Sequence, residues 1–369
     1  MNKGDIINGY RVLRDFSTAG GGLSKWTFAE KGDEEFFLKE FLAPTYPTDD
    51  APGSAKTKAQ KRKRCAAFEA HQNSVVAALK SKCARGGNVI FARDFFRFGA
   101  KYYKVTDKVD VASLQVEDIA RLPLESRVLI MKTVAHSLDV LHKCGIVHGD
   151  LKPNNLLIKR SSHGSETYIA KLIDFDSSFF AGKPPALAEE LVGDMVFYSP
   201  EAARYVREDP DVSANDLGLA CDIFALGVIF CLYLTGELPD FNQKTFQYPC
   251  IAAINGERIG IRSGAVTPAL SEIVNDMLQT DASARPTVRQ VFERLKTSDK
   301  TVSSPSPVTG PSGESRLRGS LMKKSGPLPV AASSVAPEKP AVEAPAAPPA
   351  KASDGEPSRL RGKLLKPKS

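Results

Sequence analysis

Two carboxylates and an amide stand out in the middle of the chain. The stretch His148-Gly149-Asp150-Leu151-Lys152-Pro153-Asn154-Asn155 follows a helical pattern and precedes the apolar Leu156-Leu157-Ile158. An aspartate with an asparagine five residues on can orient a hydroxyl nucleophile and hold a metal from the same loop. Nineteen residues beyond Asn155, the apolar run Leu172-Ile173 ends in Asp174, followed by Phe175 and Asp176. A buried strand presents a ligand at its tip in this way. Mg²⁺ takes hard oxygen donors and keeps several waters, so Asn155 and Asp174 fit a metal–nucleotide site.

The elements that must position these groups are of two kinds. Short strands are expected over Tyr10–Phe16, Lys25–Glu30, Glu35–Phe41, Val89–Phe98 and Lys101–Asp107. One helix, from about Arg64 to Lys80, interrupts them with an apolar stripe of Phe68, Val75, Val76 and Leu79. Ala43–Arg64, rich in Pro, Asp, Ala and Lys, reads as an exposed insertion. From Leu124 onward helices dominate, the clearest being Leu124–Lys143, Asp222–Leu234 and Pro268–Leu278. The outline is an α+β chain: a small sheet-rich lobe, then a larger helical one. Gly20-Gly21-Gly22 falls between two strands, where glycine lets backbone amides approach phosphates closely. Glu69 sits beside Phe68 on the early helix, and a carboxylate facing inward needs a cationic partner.

The two central motifs resemble the catalytic loop H-R-D-x-K-x-x-N and the D-F-G of protein kinases, specifically the eukaryotic-like Ser/Thr kinases of bacteria. The resemblance covers about Tyr10 to Thr297 and implies a bilobal fold, with an N-lobe over 1–109 and a C-lobe over 110–297. It implies that Asp150 accepts the substrate hydroxyl's proton, that Lys152 steadies the transferring phosphoryl, and that Asn155 and Asp174 bind Mg²⁺. Lys39, in Phe36-Phe37-Leu38-Lys39, takes the place of the strand lysine that holds the α- and β-phosphates of ATP, with Glu69 as its partner. Gly22 takes the third-glycine position of the phosphate loop, 17 residues before Lys39, while Ser17 and Ala19 replace the first two glycines. Ser199-Pro200-Glu201 resembles the A-P-E end of the activation segment, and Arg285 its buried partner. Asp222 corresponds to the residue that braces the catalytic loop. Lys152 favours serine and threonine over tyrosine in protein substrates.

Four positions depart from that pattern. Gly149 replaces the arginine that grips a phosphorylated activation segment. The segment Phe179–Tyr198 contains no Ser or Thr, though it contains Glu189 and Glu190. Together these predict a kinase that needs no phosphorylation there. Asp176 replaces a glycine, Asp194 replaces a threonine, and Phe37 replaces the small residue that lies against the adenine. A ring at Phe37 would crowd or reshape the nucleotide pocket, and Asp194 near Asp150 would need a cation to offset repulsion. These departures keep two alternatives open. One is a pseudokinase scaffold that docks partners through its tail. The other is a small-molecule phosphotransferase, whose H-G-D opening His148-Gly149-Asp150 matches.

Composition places the rest. The 369 residues carry 50 Lys+Arg against 43 Asp+Glu, a net +7. Residues 298–369 hold 12 of the 25 prolines, no aromatic residue, and 12 basic against 6 acidic side chains. They are expected to be a disordered basic tail. The preceding 297 residues, with 38 basic and 37 acidic, are almost neutral, which argues against a nucleic-acid-binding surface. Within the tail, Ser315–Lys323 recurs as Ser358–Lys366, sharing S-R-L-R-G-x-L-x-K, and reads as a repeated docking motif or a duplicated solvated segment. Its serines and threonines are candidate self-phosphorylation sites. No apolar run is long enough to span a bilayer. Six scattered cysteines without a CxxC pair suit a reducing cytoplasm.

Overall fold

The computed structural model describes residues 1–18, 24–83, 87–109, 113–161, 167–185, 188–262 and 264–302. In chain order the strands and helices are β1 (Ile6–Ile7), β2 (Tyr10–Val12), β3 (Ser24–Lys31), β4 (Glu34–Phe41), α1 (Ala55–Lys82), β5 (Asp94–Phe98) and β6 (Lys101–Asp107). There follow α2 (Val116–Ala120), α3 (Leu124–His142), β7 (Ile146–Val147), β8 (Leu156–Arg160), β9 (Tyr168–Leu172) and β10 (Phe179–Phe180). The C-lobe is completed by α4 (Pro200–Val206), α5 (Leu219–Thr235), α6 (Pro249–Ile254), α7 (Pro268–Met277) and α8 (Val288–Val302).

Among the described residues the N-lobe strands form one antiparallel sheet in the order β1-β2-β3-β4-β6-β5. Strand alternation divides its faces. Ile7, Val12, Ala29, Phe36, Leu38, Tyr103 and Val105 point to one side and pack as a separate small core. Trp26, Phe28, Phe37, Lys39 and Lys104 point to the other, because Trp26 pairs with Lys39, Phe28 with Phe37, and Lys39 with Lys104 across the strands. The helical lobe is built around α5, whose residues from Cys221 to Phe230 are buried almost without a break. It packs with α3 and α7 in a single large core.

Two expectations need correction. The insertion expected over Ala43–Arg64 becomes helix at Ala55, so α1 begins nine residues before Arg64. Ser54 starts it by accepting a hydrogen bond from the Thr57 amide at 3.1 Å. Apart from Thr57, the first two turns are Ala, Lys, Gln and Arg, good helix formers without an apolar stripe, so hydrophobic periodicity does not reveal them. Further along, the buried residues are Cys65, Gln72, Val75 and Leu79. At the other end α8 runs through Val302, so the tail boundary expected at Ser298 falls inside a helix whose Ser298 is buried. Both tail repeats lie outside the described residues. No helix among the described residues is long and apolar enough to cross a membrane.

Candidate active site

Asp222 at the start of α5 organises the central loop. Its Oδ2 accepts from the His148 amide at 2.7 Å and lies 3.0 Å from His142 Nε2, while its Oδ1 accepts from the Gly149 amide at 3.2 Å. A carboxylate only 2% exposed satisfies its acceptors with the backbone it fixes. His148 Nε2 donates to the Ile173 carbonyl at 3.0 Å and its ring packs on Phe175, which ties this loop to the strand end carrying Asp174.

Asp150 projects from that loop with two neighbours fixed on it. Lys152 Nζ lies 2.8 Å from Oδ2, and Asn155 Nδ2 donates to Oδ2 at 3.1 Å and to the Asp150 carbonyl at 2.7 Å. Asn155 is buried and its own carbonyl accepts from the Ile173 amide at 3.1 Å. With its amide nitrogen engaged, its Oδ1 is the atom suited to a cation. Asp174 follows Ile173 and adopts a left-handed backbone, φ +63°, a conformation that non-glycine residues hold mainly where surrounding contacts impose it. One carboxylate and one amide oxygen, completed by phosphate oxygens and water, are a donor set of the kind Mg²⁺ uses. No group of three or more His, Cys, Asp or Glu side chains gathers as a metal cage among the described residues.

Lys39 reaches this strand end, but not the partner expected for it. Its Nζ is 2.8 Å from Asp174 Oδ1 and 2.6 Å from Asp176 Oδ2. Glu69 instead accepts from the Tyr102 hydroxyl at 2.5 Å. The expected Lys39–Glu69 ion pair is therefore not made. Asp176, standing where a glycine was expected, supplies a carboxylate oxygen 2.6 Å from the lysine beside that of Asp174. Burial alone would lower the Lys39 pKa, yet the charges of Asp176 and Asp174 outweigh it and hold the ammonium above the ordinary lysine range. Burial likewise opposes ionisation of Asp176, but Lys104 and Lys39 overcome it and hold that carboxyl well below its usual range. Gly20, Gly21 and Gly22 lie outside the described residues.

Lys104 is the residue that sequence reading missed. It is buried on β6 directly opposite Lys39, and its Nζ is bonded to Asp176 Oδ1. The available signal was a lysine between Tyr103 and Val105 in the middle of a strand.

The other departures have visible physical consequences. Gly149 has φ +78°, and a Cβ there would lie under 3.0 Å from the Ser177 carbonyl oxygen and 3.3 Å from Phe179. A side chain is excluded by backbone, so an arginine cannot occupy this position without moving the segment after Asp174. Asp194 accepts from the Val196 amide at 3.0 Å and so caps a turn rather than pairing with a cation. Phe37 stacks on Trp26 at 5.4 Å, edge-on to Phe28, and the Arg14 guanidinium covers both Trp26 and Phe28. Its ring is thus held within an aromatic cluster on the sheet face that bears Lys39. Below the site, Arg285 and Glu201 form the expected buried pair through two parallel bonds of 2.7 and 2.8 Å.

A two-lobed chain with a β-rich N-lobe, a helical C-lobe and this loop-and-strand arrangement between them has the architecture of a protein kinase. The sequence profile described as "Protein kinase domain" matches residues 56–295, well over half of the chain, and the chain belongs to that family. The match begins within α1, so Lys39 and strands β1 to β4 lie before it. Calcium-dependent protein kinase 24 of Arabidopsis thaliana is 32% identical over 166 residues, 44% of this chain and 26% of that protein. Calcium-dependent protein kinase 7 of the same plant is 30% identical over 210 residues, 56% of this chain and 36% of that protein. The chain thus aligns with only about a quarter to a third of the length of these relatives. They are plant proteins and lend no support to the bacterial placement suggested by the motifs. A solved structure, the Cydia pomonella granulovirus kinase PK-1, shares the fold with a TM-score of 0.51 at 19% identity, covering 78% of this chain and 92% of that one.

Proposed function

We propose that this chain is an ATP- and Mg²⁺-dependent serine/threonine protein kinase that works without phosphorylation of its activation segment. The observation that carries the reading is a chain of bonds: Lys152 and Asn155 to Asp150, the Ile173 amide to the Asn155 carbonyl, and Lys39 to Asp174. Asp150, anchored by Lys152 and Asn155, takes the proton from a substrate hydroxyl as its oxygen bonds to the γ-phosphorus of ATP. The bond from that phosphorus to the bridging oxygen breaks, and ADP leaves. Lys152 offsets negative charge on the transferring group, and Lys39 serves the phosphates of the nucleotide. Mg²⁺ held by Asp174 and Asn155 would neutralise phosphate charge. Catalysis is then mainly positioning and electrostatics.

Independence from segment phosphorylation is supported by two contacts. Arg64 on α1 is paired with Glu190 of the segment, a carboxylate where a phosphate would otherwise supply charge. His71 on the same helix donates to the Ser178 carbonyl at 2.8 Å. No arginine stands at Gly149 to need a phosphate.

The test is phosphoryl transfer from radiolabelled ATP to a generic protein substrate by wild type and by Asp150→Asn and Lys39→Ala. Wild type is expected to transfer, and both variants to lose at least about a hundredfold in rate while remaining folded. Transfer by Asp150→Asn at the wild-type rate would overturn the assignment. The scaffold alternative has one observation in its favour, since Lys39 is engaged by two carboxylates. A thermal shift with Mg·ATP distinguishes it, because a protein that binds no nucleotide is not stabilised. The buried Arg285–Glu201 pair argues against a small-molecule phosphotransferase. The tail repeats Ser315–Lys323 and Ser358–Lys366 are proposed as docking segments for a protein partner, their charge open to reduction by self-phosphorylation.

A further inference from the structure

Lys39 and Lys104 face each other directly across β4 and β6, on the same side of the sheet. Residues so paired have Cβ atoms only about 5 Å apart, and like charges in that register repel. Both are buried, with side chains 9% and 8% exposed. Two ammonium groups in such a place require anions. Asp174 and Asp176 provide them in an unequal way. Asp174 bonds Lys39 alone, whereas Asp176 uses Oδ2 for Lys39 and Oδ1 for Lys104.

If nucleotide phosphates and a metal enter, Lys39 must turn to the phosphates and Asp174 to the metal. Asp176 cannot follow either of them, since its carboxylate would compete with the phosphates for Lys39. A buried carboxylate stripped of its only cation is strongly destabilised. Lys104 removes that obstacle. It has its own bond to Asp176 and no competing carboxylate partner among the ion pairs of the described residues. Lys104 also lies near the Phe41 ring, at 5.6 Å from its centre.

We propose that Lys104 is a positioning residue for the nucleotide site: it is the dedicated counter-ion of Asp176, and by holding that carboxylate it frees Lys39 for phosphate and Asp174 for metal. Asp176 at the position of a glycine and the buried Lys104 on β6 are then one paired departure. The inference rests on the kinase reading above.

The test measures ATP affinity, by thermal shift and by KM, in wild type, Lys104→Met, Lys104→Arg, Asp176→Asn and Lys104→Met/Asp176→Asn. In Lys104→Met, Asp176 keeps Lys39 to itself. ATP affinity is expected to fall by about ten- to a hundredfold, the worth of a charge-assisted bond, with kcat at saturating ATP changing less than KM. Lys104→Arg retains the charge and should stay within a few-fold of wild type. Asp176→Asn releases Lys39 and should bind ATP at least as tightly as wild type, and in that background Lys104→Met should add little. A merely structural lysine would lower apo stability and kcat equally with or without Asp176. An unchanged KM in Lys104→Met, or an equal rise in the Asp176→Asn background, would overturn the proposal. Should Lys104→Met fail to fold, Asp176→Asn still decides, since weaker ATP binding by it contradicts the release of Lys39. Wild type that binds no ATP would sink the kinase reading as well, whereas wild type that binds ATP with variants all alike would sink only this one.

Discussion

Gly149→Ala separates a backbone requirement from the mere loss of a phosphate receptor. The residue sits at φ +78°, a left-handed conformation that disfavours an L side chain by about 1–2 kcal/mol. A methyl group there also meets the Ser177 carbonyl oxygen inside 3.0 Å. That oxygen belongs to backbone in the segment holding Asp176, so it cannot swing aside as a side-chain end would. Forcing a methylene into a tight site adds about 1–3 kcal/mol, for a total of roughly 2–5 kcal/mol. Gly145→Ala is the control, since Gly145 has φ +70° with nothing within 4 Å of a Cβ. It carries the conformational term alone, and the difference between the two variants isolates the clash. Urea denaturation and thermal melting of both variants give the numbers, with Tm of Gly149→Ala expected to fall by at least about 4 °C. Gly149→Arg is expected to lose stability and activity together, and prior phosphorylation of the protein should not restore either. Equal stability of Gly149→Ala and Gly145→Ala would refute the steric argument and return Gly149 to the status of a missing arginine.

Other consequences are open to measurement. Arg285→Ala leaves Glu201 buried without its bidentate partner and should cost about 3–5 kcal/mol in denaturant unfolding, whereas Asp150→Asn should cost far less. Arg64→Ala and Glu190→Gln break a pair whose side chains are 59% and 31% exposed, so each should change stability by under about 1 kcal/mol. A fall in kcat larger than that, reduced by added salt in wild type, would mark the pair as holding the segment; unchanged kcat in both variants would count against it. Burial pushes the Cys250 thiol up to about 12. A group raised on folding contributes stability below its unfolded pKa, near 8.5, and loses it as pH climbs from there towards the folded value. Stability should therefore drop by about 2 kcal/mol between pH 8 and pH 10 from this group, and Cys250→Ala should flatten that slope in reduced protein.

The bonds within the Asp150 loop were legible because Asp150, Lys152 and Asn155 have fixed local spacing, whereas the Glu201–Arg285 pair and the Asp222 brace, 84 and 74 residues from their partners, were legible only through the resemblance to protein kinases. The C-lobe helices were legible because their apolar periodicity is strong, so Leu124–Lys143 and Pro268–Leu278 differ from α3 and α7 by one terminal residue. Two things were not legible. The first turns of α1 have helix propensity without amphipathicity, so a basic helix read as an insertion. The partner of Lys39 depends on strand register and on how the strand end after β9 meets the sheet, and neither can be read from Asp176 or Glu69 alone. Lys104 pointed to a buried charge, but only the antiparallel register of β4 and β6 sets it opposite Lys39.

The departures from the kinase pattern are therefore not independent losses. A side chain at residue 149 is excluded by the Ser177 carbonyl, which lies one residue beyond Asp176, and Asp176 is held where it is by two lysines. With glycine at 149, the chain after Asp174 passes close to the Asp150 loop. That close passage brings Asp176 to both Lys39 and Lys104. The same path carries Ser178 to His71 and leads on to Glu190, which meets Arg64, so one helix contacts the segment at both places. A site assembled by such mutually dependent contacts should respond to single reversions towards the common pattern by losing stability rather than gaining it. Asp176→Gly supplies the sharpest case, because it leaves two facing lysines with only Asp174 between them, and their repulsion should lower the melting temperature unless Lys104→Met accompanies it.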